Sequence, residues 1–221
     1  TTVIGNRWFS IFTTTDSKSR INFLKLLQGR KEEYLINEDT LNYLSQVNVP
    51  NFLLGYVKLS SGKSFTSRKD WESFLNIINL GNNETRFFTE AALYASVIKN
   101  GIPKDLGVHS DDAGQFAVFV HSLCWIHEER HYRKLIMTTD ESRADLQRVE
   151  EEIWGLYNDL KRYKDEPTEA FKHELEQRFD DIFQQKTSSS LLNHQLQKTH
   201  SKKSELLRVL ERPNTPLHNN S

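Results

Sequence analysis

The residues best suited to chemistry gather between positions 106 and 134. Asp111 and Asp112 follow a short apolar stretch, Leu106 to His109, and precede Gly114. Carboxylates at a strand end offer hard oxygen ligands, which suit Mg²⁺. Two such ions about 4 Å apart activate a nucleophile and stabilise the leaving oxygen in phosphoryl transfer. The same residue types also make Asx turns and helix N-caps, so the acids alone leave both readings open. Beyond them come His121, Cys124, His127 and His131. On one continuous helix, positions 124, 127 and 131 share a face, which suits zinc. The stretch HSLCWIH reads instead as a strand, which splits the set and leaves Cys124 beside Trp125 as core. His127 then reads as a polar neighbour of the acids. Arg130, Arg133 and Lys134 follow, and Lys198, Lys202, Lys203, Arg208 and Arg212 outnumber Glu205 and Glu211 near the end of the sequence. Such groups contact phosphates or simply cover solvated helix faces. The sequence has no glycine-rich phosphate loop, and its spacing suggests no Ser-His-Asp set.

The elements around these residues are mixed. RWFSIFTT (7–14) reads as a strand in which Trp8 and Phe12 share a face. Asp16 and Ser17 offer caps for a helix bearing Ile21, Phe23, Leu24 and Leu27, which Gly29 ends. EDTLNYLSQV reads as a short helix. NVPNFLLGYVKLSSGKSF reads as loops and short extended pieces because of Pro50, Gly55 and Gly62. SRKDWESFLNIINLG reads as a helix with Trp71, Phe74, Ile77 and Ile78 on one stripe and Gly81 after it. A further helix runs from Thr89 to Asn100, then comes the buried strand that ends at the acids. EERHYRKLI begins another helix. From residue 138 the pattern becomes helical throughout. Thr138 and Glu141 suggest a capping box. Leu146, Val149, Ile153, Leu156, Leu160 and Tyr163 form one stripe, which Pro167 breaks. Phe171, Leu175, Phe179, Ile182 and Phe183 form a second, and Leu192, Leu196, Leu206/Leu207 and Leu210 a third.

Composition bounds these readings. A hydrophobic fraction of 37% and an aromatic fraction of 11% supply a core, so global disorder is not expected. A net charge of −1 argues mildly against a generic nucleic-acid binder, which is often strongly basic. The single cysteine, Cys124, excludes an intrachain disulfide and a zinc site with four cysteine ligands, and fits a cytoplasmic location. No apolar run reaches membrane-spanning length. The start lacks a signal-peptide pattern and an initiator methionine, so the sequence reads as a fragment or an excised domain.

The stretch VHSDDAGQFAVFVHSLCWIHEERHYRKL (108–135) resembles the bacterial insertion-sequence transposases of the IS-sixty-six family, a DDE type. Two features carry the resemblance: Ser110-Asp111 ahead of Phe116, and the Cys-Trp-x-His-x-x-Arg signature of Cys124, Trp125, His127 and Arg130. IGNRWFSIFTTTDSKSRINFLKLL is similar to the family's segment after its first catalytic aspartate. EIWGLYNDLKRYK is similar to its helical insertion, and LLRVLERPNTPLHNNS to its approach to the final glutamate. The resemblance implies an α/β class with an incomplete RNase H-like core over 1–137, a mainly α-helical insertion over 138–212, and a loop over 213–221 leading to the glutamate motif. It implies DNA strand cleavage and transfer with Mg²⁺ or Mn²⁺ in the complete parent enzyme. DNA at transposon ends is the implied partner, a homo-oligomer of the parent is compatible with it, and no membrane is involved. Asp111 matches the second metal-binding acid, with Asp112 as the alternative. Arg130, Arg133 and Lys134 are candidates for DNA contacts. The first acid is expected before residue 1 and the glutamate after residue 221, so this polypeptide alone is expected to be catalytically inactive. The rival expectation is a non-enzymatic helical module that binds protein or DNA.

Overall fold

The computed structural model describes residues 2–5, 10–14, 17–29, 31–47 and 49–219. They form two compact units. The first runs to Leu106 and includes Gly114–Val118; the second comprises Gly107–Ala113 and the chain from Phe119 onward. The boundary expected at residue 137 falls inside the second unit.

In the first unit, β1 (Thr2–Gly5) pairs antiparallel with β2 (Ser10–Thr13). Trp8 and Phe9 lie outside the described residues, as does Asp16. Helix α1 (Arg20–Gln28) is capped by Ser19, whose hydroxyl accepts from the Asn22 N–H, rather than by Ser17. Ser17 instead binds the Asn22 side-chain amide. Gly29 ends the helix at a φ of 69°, a conformation that costs glycine little. After β3 (Tyr34–Leu35) comes α2 (Glu38–Gln46), opened by a capping box between Asn37 and Thr40. Within the stretch expected as loops and short extended pieces (48–65, of which Asn48 lies outside the described residues), there is a helix, α3 (Asn51–Leu59). Pro50 precedes its first turn, where a missing N–H leaves no intrahelical bond unmade, and Gly55 is an exception the helix tolerates. Leu53 and Val57, four residues apart, anchor α3 to the core.

Strand β4 (Ser64–Phe65) pairs antiparallel with β3. Helix α4 (Arg68–Ile78) buries Trp71 and Leu75, but Ile77 is 84% exposed, so the expected stripe is displaced. Asn79 in the left-handed region ends α4, and Gly81 instead opens α5 (Asn82–Lys99). Helix α5 therefore begins seven residues before Thr89. Thr89 lies inside it, accepting from the Trp71 indole N–H at 3.0 Å. The small side chains Ala91, Ala92 and Ala95 are buried beside Phe88 and Leu93 in the core of this unit. Tyr34 stacks on Trp71 with centroids 5.0 Å apart.

The second unit opens with β5 (Gly107–Ser110), parallel to β6 (Val120–Leu123). Of β5 only Ser110 is buried, whereas the sequence suggested a buried strand throughout. The stretch HSLCWIH is not one strand. It changes at Cys124, which caps α6 (Trp125–Arg133). A 3-10 turn at Gly114–Phe116 belongs to the first unit.

The long helix α7 (Asp140–Asp165) starts with a capping box of Thr139 and Ser142, one residue beyond the expected pair. It ends before Pro167, and α8 (Glu169–Gln184) follows. The expected stripes are buried: Val149, Ile153, Leu156 and Leu160 on α7, and Leu175, Phe179, Ile182 and Phe183 on α8. The third expected helix is three pieces: α9 (Ser190–His200), α10 (Lys203–Leu206) and α11 (Arg208–Glu211). The break lets the Leu206 carbonyl accept from the Trp125 indole at 3.0 Å, and the Leu210 carbonyl accept from the Tyr163 hydroxyl at 3.0 Å. The chain is thus mixed α/β and mostly helical. Among the described residues its strands pair in three two-stranded sheets. No described helix is long and apolar enough to cross a membrane.

Candidate functional site at the carboxyl end of β5

Parallel pairing aligns Ser110 with Leu123 and Val108 with His121. Paired side chains point to the same face and alternate along each strand, so Ser110 and His121 share a face. Asp111 follows the last residue of β5 and is half-buried. The Cys124 N–H donates to the Ser110 carbonyl at 2.9 Å, and the Ser110 hydroxyl donates to the Asp111 carbonyl at 2.6 Å. Asp111 Oδ1 accepts from the Ala113 N–H at 3.3 Å, an Asx-type contact.

The two acids have different partners. Asp112 is exposed and pairs with Lys202 Nζ at 2.6 Å. Lys202 also reaches Glu128 Oε2 at 3.0 Å, and Glu128 is 4% exposed. Glu128 Oε1 accepts from the Thr199 hydroxyl at 2.7 Å. Burial pulls the Lys202 pKa down, but the carboxylates of Asp112 and Glu128 outweigh it and raise the pKa overall. No cation pairs with Asp111 among the described residues.

The histidines and Cys124 do not converge. His121 lies on β6, Cys124 is buried at the start of α6, and His127 and His131 lie on α6. Among the described residues no group of three or more His, Cys, Asp or Glu could hold a metal ion. His127 Nε2 is 3.4 Å from Arg130, while its Nδ1 is buried without a hydrogen-bond partner among the described residues. His109 Nδ1 contacts the Ser122 hydroxyl at 3.0 Å. Burial first, then the nearby charges of His121, His218, Lys164 and His127, push the His109 pKa down to about 4.

The basic candidates divide in the same way. Arg130 and Lys134 are exposed, whereas Arg133 is tied to Glu129, which is itself buried. Lys203 pairs with Asp180 at 2.6 Å, and Arg208 with Glu211 at 2.5 Å. Lys198 is exposed. A groove of about 650 Å³ between α6 and α7 is lined by Glu129, Arg133, Glu150 and Trp154 among others, and neither Asp111 nor Asp112 reaches it.

Sequence spacing missed one constellation. His121 Nε2 lies 2.8 Å from the Ser110 hydroxyl, and His121 Nδ1 lies 2.8 Å from Glu205 Oε1. Separations of 11 and 84 residues leave no local signal for it.

The chain is 34% identical over 224 aligned positions to the uncharacterized protein y4jO of Sinorhizobium fredii (strain NBRC 101917 / NGR234). The chain belongs to the y4jO family. The alignment covers all of this chain and 70% of y4jO, so both units and the β5 site lie in the shared region. No protein-family model matches the sequence, and no solved structure matches it.

Proposed function

We propose that the chain is part of a DDE-type transposase with an RNase H-like core, in which Asp111 is one of the metal-binding acids. The observation that carries this reading is the position of Asp111, at the carboxyl end of a strand in a parallel pair and without a cation partner among the described residues. In open α/β sheets, sites form outside the carboxyl ends of the strands. Asp112 already neutralises Lys202, so Asp111 is the carboxylate left for a ligand. The signature Cys124, Trp125, His127 and Arg130 opens α6 directly after β6, on the neighbouring strand's carboxyl end.

A half-buried carboxylate of this kind fits one position around Mg²⁺ or Mn²⁺. The described residues supply that one ligand and do not complete a site. In this reading the remaining acids belong to sequence beyond these 221 residues. When bound, the ions would supply the charge that activates a water or a 3′-hydroxyl and stabilises the leaving oxygen. The chain's own part is to hold the Asp111 carboxylate in place and to bind the DNA backbone. Arg130 and Lys134, both exposed, are the candidates for phosphate contacts, whereas Arg133 would first have to leave Glu129.

The Asx-type bond from Ala113 to Asp111 favours a second reading, in which the acids only cap a turn of a helical binding module. Calorimetric titration of the full-length protein with Mg²⁺ and Mn²⁺ separates the two. The transposase reading expects metal binding that Asp111→Ala abolishes. Binding unaffected by Asp111→Ala, or none at all, overturns it in favour of the binding module.

A further inference from the structure

We infer that the groove between α6 and α7 binds a small organic cation, with a guanidinium or alkylammonium head beside Glu129 and Glu150 and an alkyl body along Trp154. The groove holds about 650 Å³, within the range of about 300–1,000 Å³ of small-molecule sites. One wall is a stripe on α7, from Gln147 through Glu150, Glu151 and Trp154 to Asn158, about 16 Å along the helix axis. The facing wall is Glu129 and Arg133, one turn apart on α6. The inference does not depend on the reading of Asp111, which lies outside the groove.

Acids on a helix face are usually just solvated; these are not. Glu129 lines the groove yet is 3% exposed. Arg133 Nε donates to its Oε1, while its Oε2 accepts no hydrogen bond among the described residues. A buried carboxylate oxygen without a donor is costly, so a donor carried in by a ligand is favoured. Glu150 is half-buried and makes no hydrogen bond or ion pair among the described residues. Burial first, and then the charge of Glu129, holds its carboxyl above the ordinary 4.5, with Arg133 opposing them. Glu129, Glu150 and Glu151 thus meet only Arg133 among the lining residues, and negative charge is in excess. Trp154 adds the aromatic wall. It is half-buried, and its ring stands edge-on to Tyr157 with centroids 5.4 Å apart. An indole face attracts an ammonium or guanidinium more strongly than any other side-chain ring. Among the described residues no three His, Cys, Asp or Glu are grouped to hold a metal ion, so the cation that matches these walls is a larger, organic one. An anion such as a nucleic-acid phosphate is repelled from the same place.

The test is calorimetric titration of the full-length protein with agmatine, with N-acetyl-argininamide and with the neutral N-butylurea. Both guanidinium probes are expected to bind and N-butylurea to bind far more weakly or not at all. Tighter binding of agmatine assigns the groove to a free amine; tighter binding of N-acetyl-argininamide assigns it to an arginine side chain of a peptide. Glu150→Gln, an isosteric change at a half-buried position, is expected to weaken the favoured probe by about tenfold or more. Trp154→Leu, which keeps apolar bulk without the ring, is expected to weaken it by about three- to thirtyfold. The variants' circular dichroism is expected to match that of the unaltered protein. The inference is overturned if neither guanidinium probe binds, if N-butylurea binds as tightly as agmatine, or if folded Glu150→Gln and Trp154→Leu variants both bind with unchanged affinity.

Discussion

Replacing Lys202 with methionine exposes how strongly the second unit depends on the ion pairs beside Asp111. Lys202 is 18% exposed and bridges Asp112, which is 51% exposed, to Glu128, which is 4% exposed. The arm to Asp112 is a surface pair and contributes about 0–1 kcal/mol. The arm to Glu128 is different. Methionine keeps the apolar stem but leaves the buried carboxylate with Thr199 and a long 3.5 Å contact from Gln195 as its donors, both on Oε1. Removing one partner of a buried pair costs about 3–5 kcal/mol; partial solvent access to Lys202 lowers the expected loss to about 2–3 kcal/mol. Glu128→Gln in the same chain removes the stranded charge, so the double variant is expected to recover about half of that loss or more. Urea unfolding of the two single variants and the double variant measures all three values. The sign of the pH effect is also fixed. The Lys202 pKa is raised above its ordinary 10.5, so its contribution is intact below that value and is lost as pH rises beyond it. A loss under 0.5 kcal/mol for Lys202→Met, with no recovery in the double variant, would refute the reasoning.

Other consequences follow from particular contacts. Gly55→Ala is expected to stabilise the chain by about 0.5–1 kcal/mol in thermal unfolding, because Gly55 lies inside α3 and an added Cβ meets nothing within 4 Å. Trp125→Ala is expected to cost about 3–5 kcal/mol and to abolish the near-ultraviolet dichroism of the second unit, because the ring packs on Phe179 and bonds to Leu206. Joint replacement of Arg130 and Lys134 by alanine is expected to weaken DNA binding uniformly across sequences and to flatten its salt dependence by about one unit per lost phosphate contact, read by fluorescence anisotropy. Arg133→Ala is expected to matter less for DNA and more for folding, because it strands the buried Glu129.

The helical stripes of the second unit were the most legible part of the sequence. Leu146 to Tyr163 and Phe171 to Phe183 keep a helical period over several turns, and one buried face per helix is what that period encodes. Short elements were read less well. Over 48–65, Pro50, Gly55 and Gly62 suggested loops and short extended pieces, but two buried positions, Leu53 and Val57, hold a helix against the core. At 121–127, HSLCWIH was read as one strand, yet the chain leaves β6 at Leu123 so that Trp125 can bury beneath α10. That bond to Leu206 spans 81 residues and has no local trace. Within the candidate site, the acids and their strand were visible from residue types alone. The division of roles between Asp111 and Asp112 was not, because it depends on Lys202, ninety residues away. The Ser110–His121–Glu205 cluster was hidden for the same reason. The RNase H-like core implied by resemblance is expected to place β5 in a larger sheet, whereas the described strands pair only two by two.

The most direct test of the central claim is metal-dependent cleavage of DNA carrying the cognate transposon ends by the full-length protein. It requires the unaltered protein together with its Asp111→Asn and Asp112→Asn variants. Asp111→Asn is expected to abolish cleavage, whereas Asp112→Asn is expected to leave it within a few-fold of the unaltered protein. Cleavage that survives Asp111→Asn, or that is lost only with Asp112→Asn, would contradict the assignment of Asp111 as the metal-binding acid.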